Sequence, residues 1–181
     1  MENKMKKTNQ SGSALLIEML VVCAIALVFL SMPAIYATKL LQANNQSNVV
    51  TELRRINLSE SWFWRVYSPN GYETPQYLAN AGAGNIGAVA AQNCNTPGLL
   101  GAEAASIFVT GTYSGYNWTF TPGPTSPTQK SGCNAAGFTT YTITATPIST
   151  ANGKYSYFTD QTMIIRFAPQ GQTASASSPI W

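Results

Sequence analysis

Between residues 14 and 37 the chain reads ALLIEMLVVCAIALVFLSMPAIYA, an apolar stretch long enough to cross a bilayer as a helix and broken by one charge, Glu18. Polar residues then enter at helical intervals, with Val49, Leu53, Ile56, Phe63 and Val66 recurring among Asn, Gln, Ser and Arg. Nothing stops the pattern until Ser68, Pro69, Asn70 and Gly71, so one helix is predicted over 14–67, about 80 Å at the usual rise per residue. Pro33 lies inside it, and its missing N–H is expected to kink or loosen that turn. The aromatic run Trp62, Phe63, Trp64 and Tyr67 is expected to pack the helix end onto the domain that follows.

From Gly71 to Gly101 the chain is rich in Gly, Ala, Asn and Pro with no sustained period, which predicts a connecting segment with at most a short helical turn. Alternating apolar and β-branched runs follow at 105–113, 116–120, 138–146, 155–158 and 163–167. Ser114-Gly115, Asn152-Gly153 and Asp160-Gln161 supply turns between them, so an antiparallel meander of four or five strands is predicted. The fold class is therefore α+β, a long N-terminal helix, partly transmembrane, packed on that sheet. The organisation reads as a leader at 1–13, the apolar half of the helix at 14–37, its amphipathic half at 38–68, a connecting loop at 69–103, a sheet-bearing head at 104–168 and a flexible tail at 169–181.

Charge adds a direction to this pattern. Lys4, Lys6 and Lys7 against Glu2 concentrate positive charge before the apolar stretch, which predicts an N-in, C-out topology. Past that point only Arg54 and Arg55 are adjacent basic residues, so no direct nucleic-acid binding is predicted. Charged residues make up 9% of the chain and there is no His, which removes Ser-His-acid and Cys-His catalysis and imidazole metal sites; the chain is read as not an enzyme, without catalytic residues, cofactor or metal. Of the three Cys, Cys23 falls within the apolar stretch, while Cys94 and Cys133 fall in the exported part, where oxidation is permitted, and are expected to pair.

Residues 11–27, SGSALLIEMLVVCAIAL, resemble the prepilin motif of type IV pilins: a basic leader ending in Gly, a short apolar stretch, a Glu and a long apolar helix. The resemblance implies that a prepilin peptidase removes the leader, that the new N-terminus is methylated, and that Glu18 meets the N-terminal amine of a neighbouring subunit during assembly. It also implies local melting of the helix near Pro33 in the filament. Alignment on Glu18 puts cleavage between Ser13 and Ala14, whereas alignment on Gly12 puts it between Gly12 and Ser13. The Glu18 spacing is preferred because it sets assembly geometry, and the Phe common at the first mature position is absent.

The function this implies is a structural subunit of an extracellular filament, a homo-oligomer serving tasks such as adhesion or motility. Its partners would be the prepilin peptidase and the inner-membrane assembly machinery, and it would lie in the inner membrane as a single pass before assembly. Two alternatives stay open: a pseudopilin of a type II secretion system, and a membrane-tethered extracytoplasmic binding module. The major secretion pseudopilins carry acidic calcium ligands in a C-terminal loop, and after Glu103 this chain offers Asp160 alone.

Overall fold

Helix α1 runs Thr8–Tyr67, six residues further toward the N-terminus than the apolar pattern predicts. The computed structural model describes residues 8–80 and 93–181, and side chains at 8–14 and 27–35 lie outside that description. Two units are resolved, Met1–Leu40 and Leu41–Trp181, and they are described separately.

In the first unit the described positions from Leu15 to Ile25 expose their large apolar side chains, and the backbone is helical throughout. Among the described residues no helix is long and apolar enough to cross a membrane. The stretch expected to do so, 14–37, includes the undescribed side chains at 27–35.

In the second unit α1 buries one face, formed by Asn45, Val49, Leu53, Ile56, Glu60, Phe63 and Tyr67. These positions recur at the three- and four-residue spacing that places side chains in one stripe. Val66, expected inside, is 40% exposed because, one residue before Tyr67, it falls roughly a quarter turn away from the centre of that stripe. The aromatic run divides for the same reason: Phe63 and Tyr67 are buried with ring centroids 4.9 Å apart, while Trp62 and Trp64 face outward.

The stripe packs against a sheet that, among the described residues, has five antiparallel strands in the order β1-β2-β3-β4-β5: Thr112–Tyr113, Tyr116–Pro122, Tyr141–Pro147, Tyr155–Asp160 and Arg166–Pro169. Strand β3 alternates strictly, with Tyr141, Ile143, Ala145 and Pro147 buried. Strand β4 is buried on both faces beyond its first residue, because Phe158 joins Ala168 and Ala174 in a second small cluster. The predicted turns are present: Ser114 and Gly115 both take positive φ between β1 and β2, and Asp160 Oδ1 accepts bonds from the Thr162 N–H and hydroxyl before β5.

Three expectations are corrected. The run at 105–113, read as a strand, is mostly helix α3, Ala102–Thr110, and only Thr112–Tyr113 pair as β1; Gly101 opens the helix and Gly111, with φ 73°, closes it in a left-handed C-cap. Burial of Ala104, Ala105 and Ile107 rewards the helical period over the β propensity of Ile107, Phe108 and Val109. Strand β5 starts at Arg166, later than the predicted 163, because Met163 takes φ 63° as the last corner of the preceding turn. The tail also returns along β5: Phe167 N–H donates to Pro179 O, Trp181 N–H donates to Ile165 O, and the Trp181 ring packs on Tyr155, Tyr157 and Phe167. Within the connecting segment, α2, Pro75–Leu78, is the short helical turn anticipated there, capped by the Thr74 hydroxyl.

Candidate functional site

Glu18 lies on α1 with its side chain exposed, between exposed Leu15, Leu16, Ile17, Met19, Leu20 and Val22. Among the described residues of 15–26 it is the one charge. A continuous apolar helical surface of this kind is costly in water and marks a place where lipid or protein covers the chain. A carboxylate within such a surface is costly once covered, unless a cation or a set of donors meets it. The described arrangement is thus an exposed apolar helical surface that carries one carboxylate. Gly12, Ser13, Ala14 and Pro33 lie within the helical backbone of α1, and what their side chains meet is outside the described residues. Cys23 is exposed and unpaired in the same surface.

Cys94 and Cys133, the other pair singled out by the sequence, are bonded to each other with Cα atoms 5.4 Å apart. Polar bonds join the same two segments around the bridge: Asn95 Nδ2 donates to Gly132 O at 2.8 Å, and Asn134 N–H donates to Asn95 Oδ1 at 2.6 Å. The bridge therefore closes a contact that is also hydrogen-bonded.

Two polar clusters were not singled out from sequence. The first ties α1 to the sheet: Asn57 Nδ2 donates to Thr159 Oγ1 at 2.9 Å and to Met163 O at 3.1 Å, and Tyr141 Oη donates to Asn57 Oδ1 at 3.3 Å. All three side chains are buried. Replacing Asn57 with Ala strands the Tyr141 hydroxyl and the Met163 carbonyl, so a loss of about 2 kcal/mol is expected in urea unfolding of the full chain. An unchanged midpoint would show that water replaces the amide at no cost.

The second cluster is acidic. Glu60 is fully buried near the end of α1; its Oε2 accepts the Glu73 N–H at 3.2 Å and its Oε1 has no partner. Glu73, also buried, accepts from Asn70 Nδ2 at 3.1 Å, and Asn70 itself is fully buried. Burial pushes the Glu60 carboxyl well up, and it pushes Glu73 up to about 7 against the opposing hydrogen bonds from Thr74 and Asn70. A signal for Glu60 was present in the sequence, since it falls four residues after Ile56, three before Phe63 and seven after Leu53, squarely in the buried stripe. Glu52, one turn before Ile56, is raised by burial with Arg55 opposing at 3.3 Å. Among the described residues no cluster of three or more His, Cys, Asp or Glu side chains is placed to hold a metal ion.

No protein-family model, curated protein or solved structure matches this chain.

Proposed function

We propose that this chain is a type IV pilin-like structural subunit, a non-enzymatic protein that is held in a membrane by 14–37 and assembles through that helix into an extracellular filament once its leader is removed. The observation that carries the reading is the exposed apolar surface of α1 from Leu15 to Ile25 with Glu18 as its lone charge, directly after a basic leader. Such a surface must be covered, and a filament core made of like helices covers it while placing each Glu18 beside a neighbour's new N-terminus. The disulfide-closed, charge-poor second unit suits a subunit displayed outside the cell, where thiols oxidise.

The test is an intact mass of the protein recovered from sheared surface filaments and from membranes of the source cell. A mature chain beginning at Ala14, with or without one added methyl group, is expected in both fractions. A mass that keeps residues 1–12, or one that begins beyond Ala37, overturns the reading.

A further inference from the structure

We propose that the buried Glu60–Glu73 pair is a proton-operated latch which holds the turn after α1 against the β2–β3 loop at acidic pH and loosens it as the pH rises. The latch is independent of the filament reading, because every group in it lies in the second unit.

The geometry is that of a clamp built over two acids. The segment after α1 meets the β2–β3 loop through paired backbone bonds: Tyr72 N–H to Phe138 O at 2.8 Å, Phe138 N–H to Tyr72 O at 2.7 Å, and Gly137 N–H to Asn70 O at 2.9 Å. Side chains extend the clamp, with Ser126 Oγ donating to Pro69 O at 3.1 Å and Lys130 N–H donating to Asn70 Oδ1 at 3.2 Å. The packing leaves no slack at Gly137, where a Cβ would stand 2.2 Å from Tyr72 O and 3.0 Å from Glu73 Oε1. Beneath this seam lie Glu60 and Glu73, joined through the Glu73 backbone N–H, with Asn70 bridging the Glu73 carboxylate to the loop.

What makes the pair responsive is the lack of any compensating charge. Among the described residues no cationic side chain is within ion-pair distance of either carboxylate. The titratable groups that face them are tyrosines, neutral across this range: Tyr72 on the same segment and Tyr141 of β3 toward Glu60, and Tyr77 of α2 toward Glu73; Asp160 of β4 acts on Tyr72 and Tyr141 behind them. The nearest cation in the clamp, Lys130, is turned away and donates its Nζ to Val66 O, over the Tyr67 ring. Two ionised carboxylates in this space would repel with only neutral N–H donors, those of Glu73, Thr74 and Asn70, against them, and the unpartnered Glu60 Oε1 would carry an unsolvated charge. Holding protons removes both costs, and losing them favours opening the seam to water.

The sign follows from linkage. The folded state holds the Glu73 proton up to about pH 7, while an unfolded or opened Glu releases it near 4.5. Stability is therefore fully present below about pH 4.5, falls as the pH rises toward 7, and levels off above it. The chain has no His to titrate within this window, and Glu60, raised by its own burial, acts in the same direction as Glu73.

The experiment is amide hydrogen exchange on the full-length chain at pH 6 and pH 8, corrected for the intrinsic rate. Protection of the Gly137, Phe138 and Tyr72 amides is expected to fall about tenfold between the two pH values, and Glu73→Gln is expected to flatten that response. Glu52→Gln, which removes the other raised acid on α1, is expected to leave it in place. A pH-independent protection in the unmodified chain, or a response that survives Glu73→Gln and disappears with Glu52→Gln, overturns the latch. Should Glu73→Gln fail to fold, the carboxyl carbon of Glu73 in the unmodified protein decides by NMR: a midpoint between about 6 and 8, shared by the Gly137 and Phe138 amides, is expected, and one below 5 overturns the proposal.

Discussion

Replacing Cys94 and Cys133 together with Ser is expected to lower the unfolding free energy by about 4 kcal/mol, the largest loss anticipated from any change within the second unit. The bridged residues are 39 positions apart, so the unfolded chain loses a substantial closed loop, and α3, β1 and β2 all lie inside that loop. Both sulfurs are in the main core cluster, which adds a packing loss when a smaller polar hydroxyl stands in their place. The hydrogen bonds of Asn95 to Gly132 and Asn134 remain, yet bonds of that kind contribute about 1 kcal/mol each and cannot replace the covalent link. Against the 5 to 15 kcal/mol of a typical domain, a loss near 4 removes a large share of the total. Urea unfolding under oxidising conditions, with the reduced unmodified chain as a second arm, measures it. A loss under about 1 kcal/mol in both arms would mean that the noncovalent contact alone closes the loop.

Much of this architecture was readable because it rests on period. The 41–67 half of α1 carries its buried stripe at helical spacing, and β3 and the first half of β2 carry theirs at alternating positions, so propensity and burial agree. Where they disagree, the sequence misleads. Ile107, Phe108 and Val109 favour a strand by composition, but glycines at 101 and 111 bound a nine-residue span, and within it Ala104, Ala105 and Ile107 reach the core only as a helix. Tertiary burial decided the outcome over local preference.

The loop at 123–140 was not readable for a different reason. Its form rests on nonperiodic bonds from distant partners, such as Ser126 to Pro69, Lys130 to Asn70 and Phe138 to Tyr72, and no window of sequence contains both members of such a pair. The latch acids were half readable. Glu60 sits in the apolar stripe, where a charged residue signals a special environment, but its partner Glu73 lies beyond a turn and carries no periodic mark. Of the predicted site residues, the two cysteines come together, and Glu18 stands alone in an apolar surface.

Glu18→Ala is expected to abolish filaments while leaving a folded subunit in the membrane. The carboxylate is exposed on a surface that is otherwise apolar, and covering it without a counter-charge would cost several kcal/mol. Cleavage after Ser13 would create a positive amine on Ala14, four residues before Glu18 and about 6 Å away along one helix axis. A neighbouring subunit displaced along the axis by that amount brings its own amine level with this carboxylate, so each addition to a filament would bury one matched pair.

Removing the carboxylate leaves the amine buried alone, and breaking one member of such a pair typically costs about 3 to 5 kcal/mol. Even about 1.4 kcal/mol per addition is tenfold in the assembly equilibrium, and the penalty recurs with every subunit. The second unit has no share in this loss, because its core clusters contain no residue before Val49. The variant should therefore keep its leader processing, its Cys94–Cys133 bridge and the thermal midpoint of the head, and accumulate in membranes. Glu18→Asp, which keeps the charge on a shorter arm, should recover part of the filament yield. The measurement is filament count and sheared-fraction mass in a strain with no other filament subunit. Normal filament numbers from Glu18→Ala would show that the carboxylate has no part in assembly, whereas loss of filaments together with loss of the disulfide would assign the defect to folding instead.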